Sequence, residues 1–168
     1  MGDFLMAQQT VISLADDLVG RATAAGAMIV TAESCTGGMI AAAITDIAGA
    51  SAVLDRGFVT YSNAAKHDLL GVPEATLTAH GAVSMKTAAA MASGALAAAP
   101  NAVLAVAVTG IAGPGGGSPE KPVGLVWFGI AERSGQTRTI RHVFPGDRAD
   151  IRDRAAATAL GLLLDALS

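Results

Sequence analysis

The chain contains a single cysteine, Cys35, so no internal disulfide framework and no multi-cysteine metal site can be built from it. A lone thiol fits a reducing compartment, and the cytoplasm is the expected location. Positive charge is not in excess either: 11 Lys and Arg stand against 14 Asp and Glu, a net charge of -3. Without a basic field there is nothing to hold nucleic acid non-specifically, although local donors can still bind a small anion. No apolar run reaches the roughly 18 residues of a membrane span; Thr45, Asp46, Lys86 and Thr87 interrupt the alanine-rich stretches. The start, Met1-Gly2-Asp3-Phe4, lacks the basic segment that opens a signal peptide. His67, His80 and His142 are isolated, without ligand spacing, so no metal is expected. Aromatic residues make up only 4% of the sequence.

What is present is mostly small and apolar. Hydrophobic residues make up 52% of 168, enough for one domain, 1–168, with a sizeable core. Residues 4–25 read as an amphipathic helix carried by Leu5, Val11, Ile12, Leu14, Ala15, Leu18 and Val19. A strand over 27–31 leads through a turn into a helix over 37–45. A second strand covers 57–61, and Ser62 or Asn63 caps a short helix stopped by Gly71, with Pro73 beyond. Ser84 caps a helix to residue 99. The run 103–108 is apolar throughout, as in a strand covered on both faces. A loop over 109–122 follows, then a strand over 123–131. Ser134-Gly135 turns that strand back into 137–144, and Asp147 caps a last helix to residue 167. The expected fold is α/β: three layers, a mixed β-sheet with helices on both faces.

Three segments carry polar groups suited to chemistry. The first is Glu33-Ser34-Cys35-Thr36-Gly37-Gly38, at a strand-to-helix turn. Free amides at a helix start can hold an anion, so a hydroxyl placed just before them can attack a carbonyl while the N–H groups of Thr36 and Gly37 receive the oxyanion. Ser34 also fits a simple N-cap, and Cys35 and Thr36 are rival nucleophiles in the same turn. The second is Tyr61, Ser62, Asn63 and Lys66. A serine needs a base, and a buried lysine can serve if its pKa falls toward neutrality; Tyr61 can orient it or relay a proton. Lys66 also fits a solvated lysine, and Tyr61 a packing residue. The Tyr61–Lys66 spacing is one residue too long for the dehydrogenase pattern, and Gly-x-Gly-x-x-Gly is absent.

The third segment is the glycine-rich stretch Thr109-Gly110-Ile111-Ala112-Gly113-Pro114-Gly115-Gly116-Gly117-Ser118. Its amides suit a phosphate or a carbonyl, beyond the end of a buried strand where α/β proteins bind ligands. It is no Walker loop. Ser118-Pro-Glu-Lys121 spells Ser-x-x-Lys, but without the partner motifs of a penicillin-binding enzyme.

Together these stretches resemble the C-terminal domain family of the competence/damage-inducible protein CinA, in its stand-alone amidohydrolase form. Thr31-Ala-Glu-Ser-Cys-Thr-Gly-Gly38, Asp46-Ile-Ala-Gly49, Arg56-Gly-Phe-Val-Thr-Tyr-Ser-Asn63 with Lys66, and Gly81-Ala-Val-Ser84 carry the likeness. It continues in Gly110-Ile-Ala-Gly-Pro114, Glu120-Lys-Pro-Val-Gly124 and Phe144-Pro-Gly-Asp147-Arg148. The resemblance implies hydrolysis of the carboxamide of nicotinamide mononucleotide to nicotinate mononucleotide and ammonia, pyridine nucleotide recycling, and no metal or organic cofactor. The family's nucleophile falls on Ser34, and its tyrosine and lysine on Tyr61 and Lys66. On this reading Cys35, Thr36, Gly37, Gly38, Ser62, Asn63, Thr109, Gly110, Ile111, Ala112, Gly113, Pro114, Ser118 and Arg148 surround the substrate. Gly115 stands where relatives carry an acidic residue, and the large N-terminal domain of full-length CinA has no counterpart. The other readings are a nucleotide-binding module without turnover and an alanine-rich oligomerisation domain. The apolar faces suggest a homo-oligomer.

Overall fold

The structure, a computed structural model, describes residues 2–168, with side chains from Thr10 onward. Five strands form one sheet in the order β2-β1-β3-β4-β5. They are β1 (Ile29–Glu33), β2 (Leu54–Val59), β3 (Leu104–Gly110), β4 (Leu125–Glu132) and β5 (Arg138–Val143). β1 runs parallel to both β2 and β3; β4 is antiparallel to β3 and β5. Helices α1 (Gly2–Ala25), α2 (Met39–Thr45) and α6 (Arg148–Ala166) pack on one face. On the other lie α3 (Asn63–Leu70), α4 (Glu74–His80) and α5 (Met85–Ala98). This is the expected three-layer mixed sheet.

The two cores differ in bulk, and β3 shows why. Its residues alternate between faces: Leu104, Val106 and Val108 meet α1 and α6, while Ala105 and Ala107 meet α5. A sheet face of alanines lets an alanine-rich helix come close. At Gly129 of β4 a Cβ would lie 2.3 Å from the Ala88 carbonyl oxygen of α5. The same helix abuts α3, because at Gly94 a Cβ would lie 1.8 Å from the Leu70 carbonyl oxygen.

In α1 the buried stripe is Ala15, Leu18, Val19 and Ala22, flanked by Val11 and Leu14. Ile12, expected on that stripe, is 51% exposed, one step off the 3.6-residue period. Leu5 lies outside the residues with described side chains. Three caps hold as read: Ser62 Oγ accepts from Ala65 N–H, Ser84 Oγ from Thr87 N–H, and Asp147 from Ala149 and Asp150 N–H within a full capping box.

Other boundaries move. α2 starts at Met39 and not at residue 37, because Gly37 and Gly38 take left-handed φ values of 60° and 103° and belong to the turn. β2 begins at Leu54 and ends at Val59, which leaves Tyr61 beyond the strand. Thr109 and Gly110 finish β3 instead of opening the loop, and β4 starts at Leu125. α4 was not expected at all; Pro73 supplies its start, where a fixed φ costs nothing.

From β1 the chain steps outward to β2, and later returns to β3 on β1's other side. The carboxyl ends of β1 and β3 therefore flank a topological switch point, where open α/β sheets form their crevices.

Candidate active site

The turn after β1 is tied at several of its main-chain groups. Ser34 N–H donates to Val108 O of β3 (3.0 Å), and Thr60 N–H donates to Glu33 O (2.8 Å). These two bonds carry the parallel ladder one step past β1 on both sides and fix Ser34 in place. The Glu33 side chain, 1% exposed, curls under the turn. Its Oε2 accepts from Gly38 N–H (3.0 Å) and Ile40 N–H (3.1 Å), and its Oε1 from Ala41 N–H (2.9 Å). The free amides of α2 are thus occupied by the chain's own carboxylate. Gly37 N–H turns back to Ser34 O (3.1 Å).

Lys66 projects from the first turns of α3. Helical side chains lean toward the helix N-terminus, which brings Nζ back under Thr60 and Tyr61. It is wholly buried. Nζ contacts Ser34 Oγ at 2.9 Å, Thr60 O at 2.7 Å and Tyr61 O at 3.2 Å. No carboxylate lies within ion-pair distance of it among the described residues. Burial without a counter-ion pushes its pKa down from 10.5 to about 8. The three contacts suit both charge states. An ammonium gives one proton to each oxygen; a free amine keeps its two N–H bonds on the carbonyls and turns its lone pair toward the Ser34 hydroxyl.

The rivals in the turn lack this arrangement. Burial pushes the Cys35 thiol up to about 11, against the pull of the Arg152 guanidinium, so it stays protonated at neutral pH. Thr36 Oγ1 is buried with no hydrogen-bond partner among the described residues.

A cleft of about 230 Å³ opens over the Ser34–Lys66 pair. Its floor is Ser34, Cys35 and Lys66, and its far wall is Gly110, Ile111, Ala112, Gly113 and Gly115. Ala82 and Val83 close a third side, held by the Thr109 hydroxyl, which donates to Ala82 O (2.7 Å). At the mouth, Arg148 donates through Nη1 to Gly113 O (2.8 Å) and through Nη2 to the Tyr61 hydroxyl (3.3 Å). No group of three or more metal-ligating side chains occurs among the described residues.

A sequence model of the CinA C-terminal domain matches residues 11–167. The chain belongs to that family. It is 54% identical over 155 residues to a nicotinamide-nucleotide amidohydrolase PncC of Enterobacter agglomerans, covering 92% of this chain and 94% of that one. A protein of the same name from Escherichia coli K12 is 52% identical over 158 residues, covering 94% and 95%. Among solved structures, the competence/damage inducible protein CihA from Agrobacterium tumefaciens superposes with a TM-score of 0.90. It is 53% identical, covering 94% of this chain and 95% of that one.

In this CinA domain the residues singled out from the sequence divide into two groups. Ser34, Cys35, Tyr61, Lys66, Thr109, Gly110, Ile111, Ala112, Gly113 and Arg148 line one cleft, although they come from four separate stretches. Thr36, Gly37 and Gly38 do not line it, and the amides of the two glycines are spent inside the turn. Of the oxyanion pair expected at Thr36 and Gly37, the Gly37 amide is occupied by Ser34 O, and Thr36 lies outside the cleft lining. Ser62 is the cap of α3, Asn63 faces a separate surface groove, and Pro114 lines an adjoining one. Ser118 lies outside the cleft and bonds to Glu120. Tyr61 meets Lys66 through its carbonyl oxygen, while its phenol, on a residue 64% exposed, points to Arg148. The reading missed Ala82, Val83 and the cap made by Glu33. Gly81-Ala-Val-Ser84 was the available signal for the first two, and a glutamate at a strand end before two glycines for the third.

Proposed function

We propose that this chain hydrolyses the carboxamide of nicotinamide mononucleotide to nicotinate mononucleotide and ammonia, within pyridine nucleotide recycling. The observation that carries the reading is the 2.9 Å contact between a buried, unpaired lysine amine and the Ser34 hydroxyl at the base of a cleft. Relatives above 50% identity named for this activity support it.

Ser34 Oγ attacks the carboxamide carbon as its proton passes to the Lys66 lone pair. The carbonyl oxygen takes up the negative charge. Among main-chain N–H groups, those of the cleft-lining residues Cys35, which follows the nucleophile, Ala112 and Gly113 are the candidates to receive it. The C–N bond then breaks, and Lys66 returns the proton to departing ammonia. Water attacks the acyl-serine and gives its proton to Lys66, which restores the Ser34 hydroxyl as the nicotinate product leaves. Tyr61 assists through its carbonyl, which keeps the amine oriented. Arg148, Gly113 and Gly115 line the cleft, and the Arg148 guanidinium with the two glycine amides is suited to the phosphate of the substrate.

Ammonia release from the mononucleotide, the riboside and free nicotinamide tests the reading. Release is expected from the mononucleotide and not from nicotinamide, which lacks the phosphate and ribose. Tight binding of the mononucleotide with no ammonia would instead support the module that binds without turnover.

A further inference from the structure

Arg152 has no part in the reaction as written, yet it is the one residue of α6 whose side chain bonds to the nucleophile turn. Its Nε donates to Cys35 O (3.0 Å) and its Nη2 to Thr36 O (3.2 Å), across 117 and 116 residues of sequence. Cys35 is nearly buried, and its carbonyl has no other donor among the described residues. The Thr36 carbonyl is shared with Met39 N–H (3.2 Å). No carboxylate lies within ion-pair distance of the guanidinium among the described residues, so its charge is spent on the two peptide oxygens.

We propose that Arg152 is a positioning residue for the reaction: it clamps the Cys35 and Thr36 carbonyls, holds Ser34 on Lys66, and sets a fixed positive charge behind the site where the oxyanion forms. This rests on Ser34 being the nucleophile. The turn is gripped from two sides. Glu33 takes its amides from below, and Arg152 takes its carbonyls from the α6 side. Opposed charge-assisted bonds of this kind stop a short turn from rotating its peptides. The field reaches the reacting groups, since the same guanidinium favours the thiolate of neighbouring Cys35. An anion forming on the adjacent serine adduct feels the same pull.

The test uses the full chain and nicotinamide mononucleotide, comparing Arg152→Lys, Arg152→Gln and Arg152→Ala, with Ser34→Ala in parallel. Arg152→Gln is expected to lose about 10²-fold in kcat with KM held within about twofold, the pattern of an interaction made in the transition state. Arg152→Lys keeps the charge and falls between it and the parent. Arg152 also lines an open groove of about 490 Å³ beside the cleft, so added guanidinium ion can reach the space vacated in Arg152→Ala and restore part of its kcat. Turnover within about threefold of the parent in both Gln and Ala variants overturns the proposal, because such a change is below the loss of one strong contact. A loss confined to KM overturns it too and makes Arg152 a substrate contact. So does a Lys variant as slow as the Gln variant with a matching fall in Tm, which marks a purely structural role. If Arg152→Ala does not fold, the Lys and Gln pair decides. Undiminished turnover in Ser34→Ala removes the nucleophile reading itself; an inactive Ser34→Ala beside fully active Arg152 variants removes only the clamp.

Discussion

The turn after β1 and the loop after β3 both read as glycine-rich anion cradles, yet they are built oppositely. In the turn, Gly37 and Gly38 take left-handed conformations that let the chain wrap onto its own Glu33 carboxylate, and the amides of Gly37, Gly38, Ile40 and Ala41 are closed to any ligand. In the loop, Gly115, Gly116 and Gly117 are exposed, and the segment is tied mainly at its ends, by Arg148 on Gly113 and by Lys121 on His80. The first is a rigid mount for the Ser34 hydroxyl; the second leaves its glycine backbone exposed. Glycine content alone does not tell the two apart. Where the neighbouring acidic side chain goes does.

The strongest way to break this comparison is at the mount. Lys66→Ala or Ser34→Ala should lower kcat by about 10⁴-fold or more, with nucleotide binding retained, measured by ammonia release and calorimetry. Loss of binding in both would shift the role of the pair toward recognition. Next, kcat/KM should fall about tenfold per pH unit below about 8, as the Lys66 amine gains its proton. A flat profile from pH 6 to 9 argues against a lysine base.

The buried amine also marks the stability curve. Its pKa is lower folded than unfolded, so between about 8 and 10.5 the unfolded chain binds more protons, and stability rises with pH across that window. Relative to Lys66→Met, the parent should gain about 3 kcal/mol over that range in denaturant titrations. Equal slopes would place the amine in water. Gly38→Ala, at φ 103°, should cost about 1–3 kcal/mol. Gly115→Ala, with open space around its Cα and an ordinary φ, should change stability by less than about 0.5 kcal/mol. Smallest of all, Cys35→Ala should keep turnover within about threefold, because its thiol stays protonated at neutral pH while the lysine amine bonds to the Ser34 hydroxyl.

Particular residues show how far the sequence could be read. The layers follow from patterns local to each element: the unbroken apolar run in 103–108, the caps at Ser62, Ser84 and Asp147, and the glycine ending α3. Ser34 and Lys66 were legible because a hydroxyl at a strand end and a lysine one turn into a capped helix each point to the same side of the sheet. Tyr61 shows the limit. It lines the cleft, but whether its phenol or its carbonyl meets the amine depends on where β2 stops, and β2 ends at Val59, two residues earlier than expected. Arg152 was beyond reach for another reason. It acts on main-chain oxygens more than 100 residues away in sequence, a contact that leaves no residue-type signature.

The alanine face under β3 sets a length. Because α5 rests on Ala105, Ala107 and Gly129, and α3 rests on α5 at Gly94, the height of the Lys66 amine above the sheet is gauged by a stack of the smallest side chains available. One added methyl at Gly94 or Gly129 would act as a shim, lifting the lysine off the serine without touching either. The abundance of alanine, which looks like filler, is then a tolerance specification for a bond of 2.9 Å.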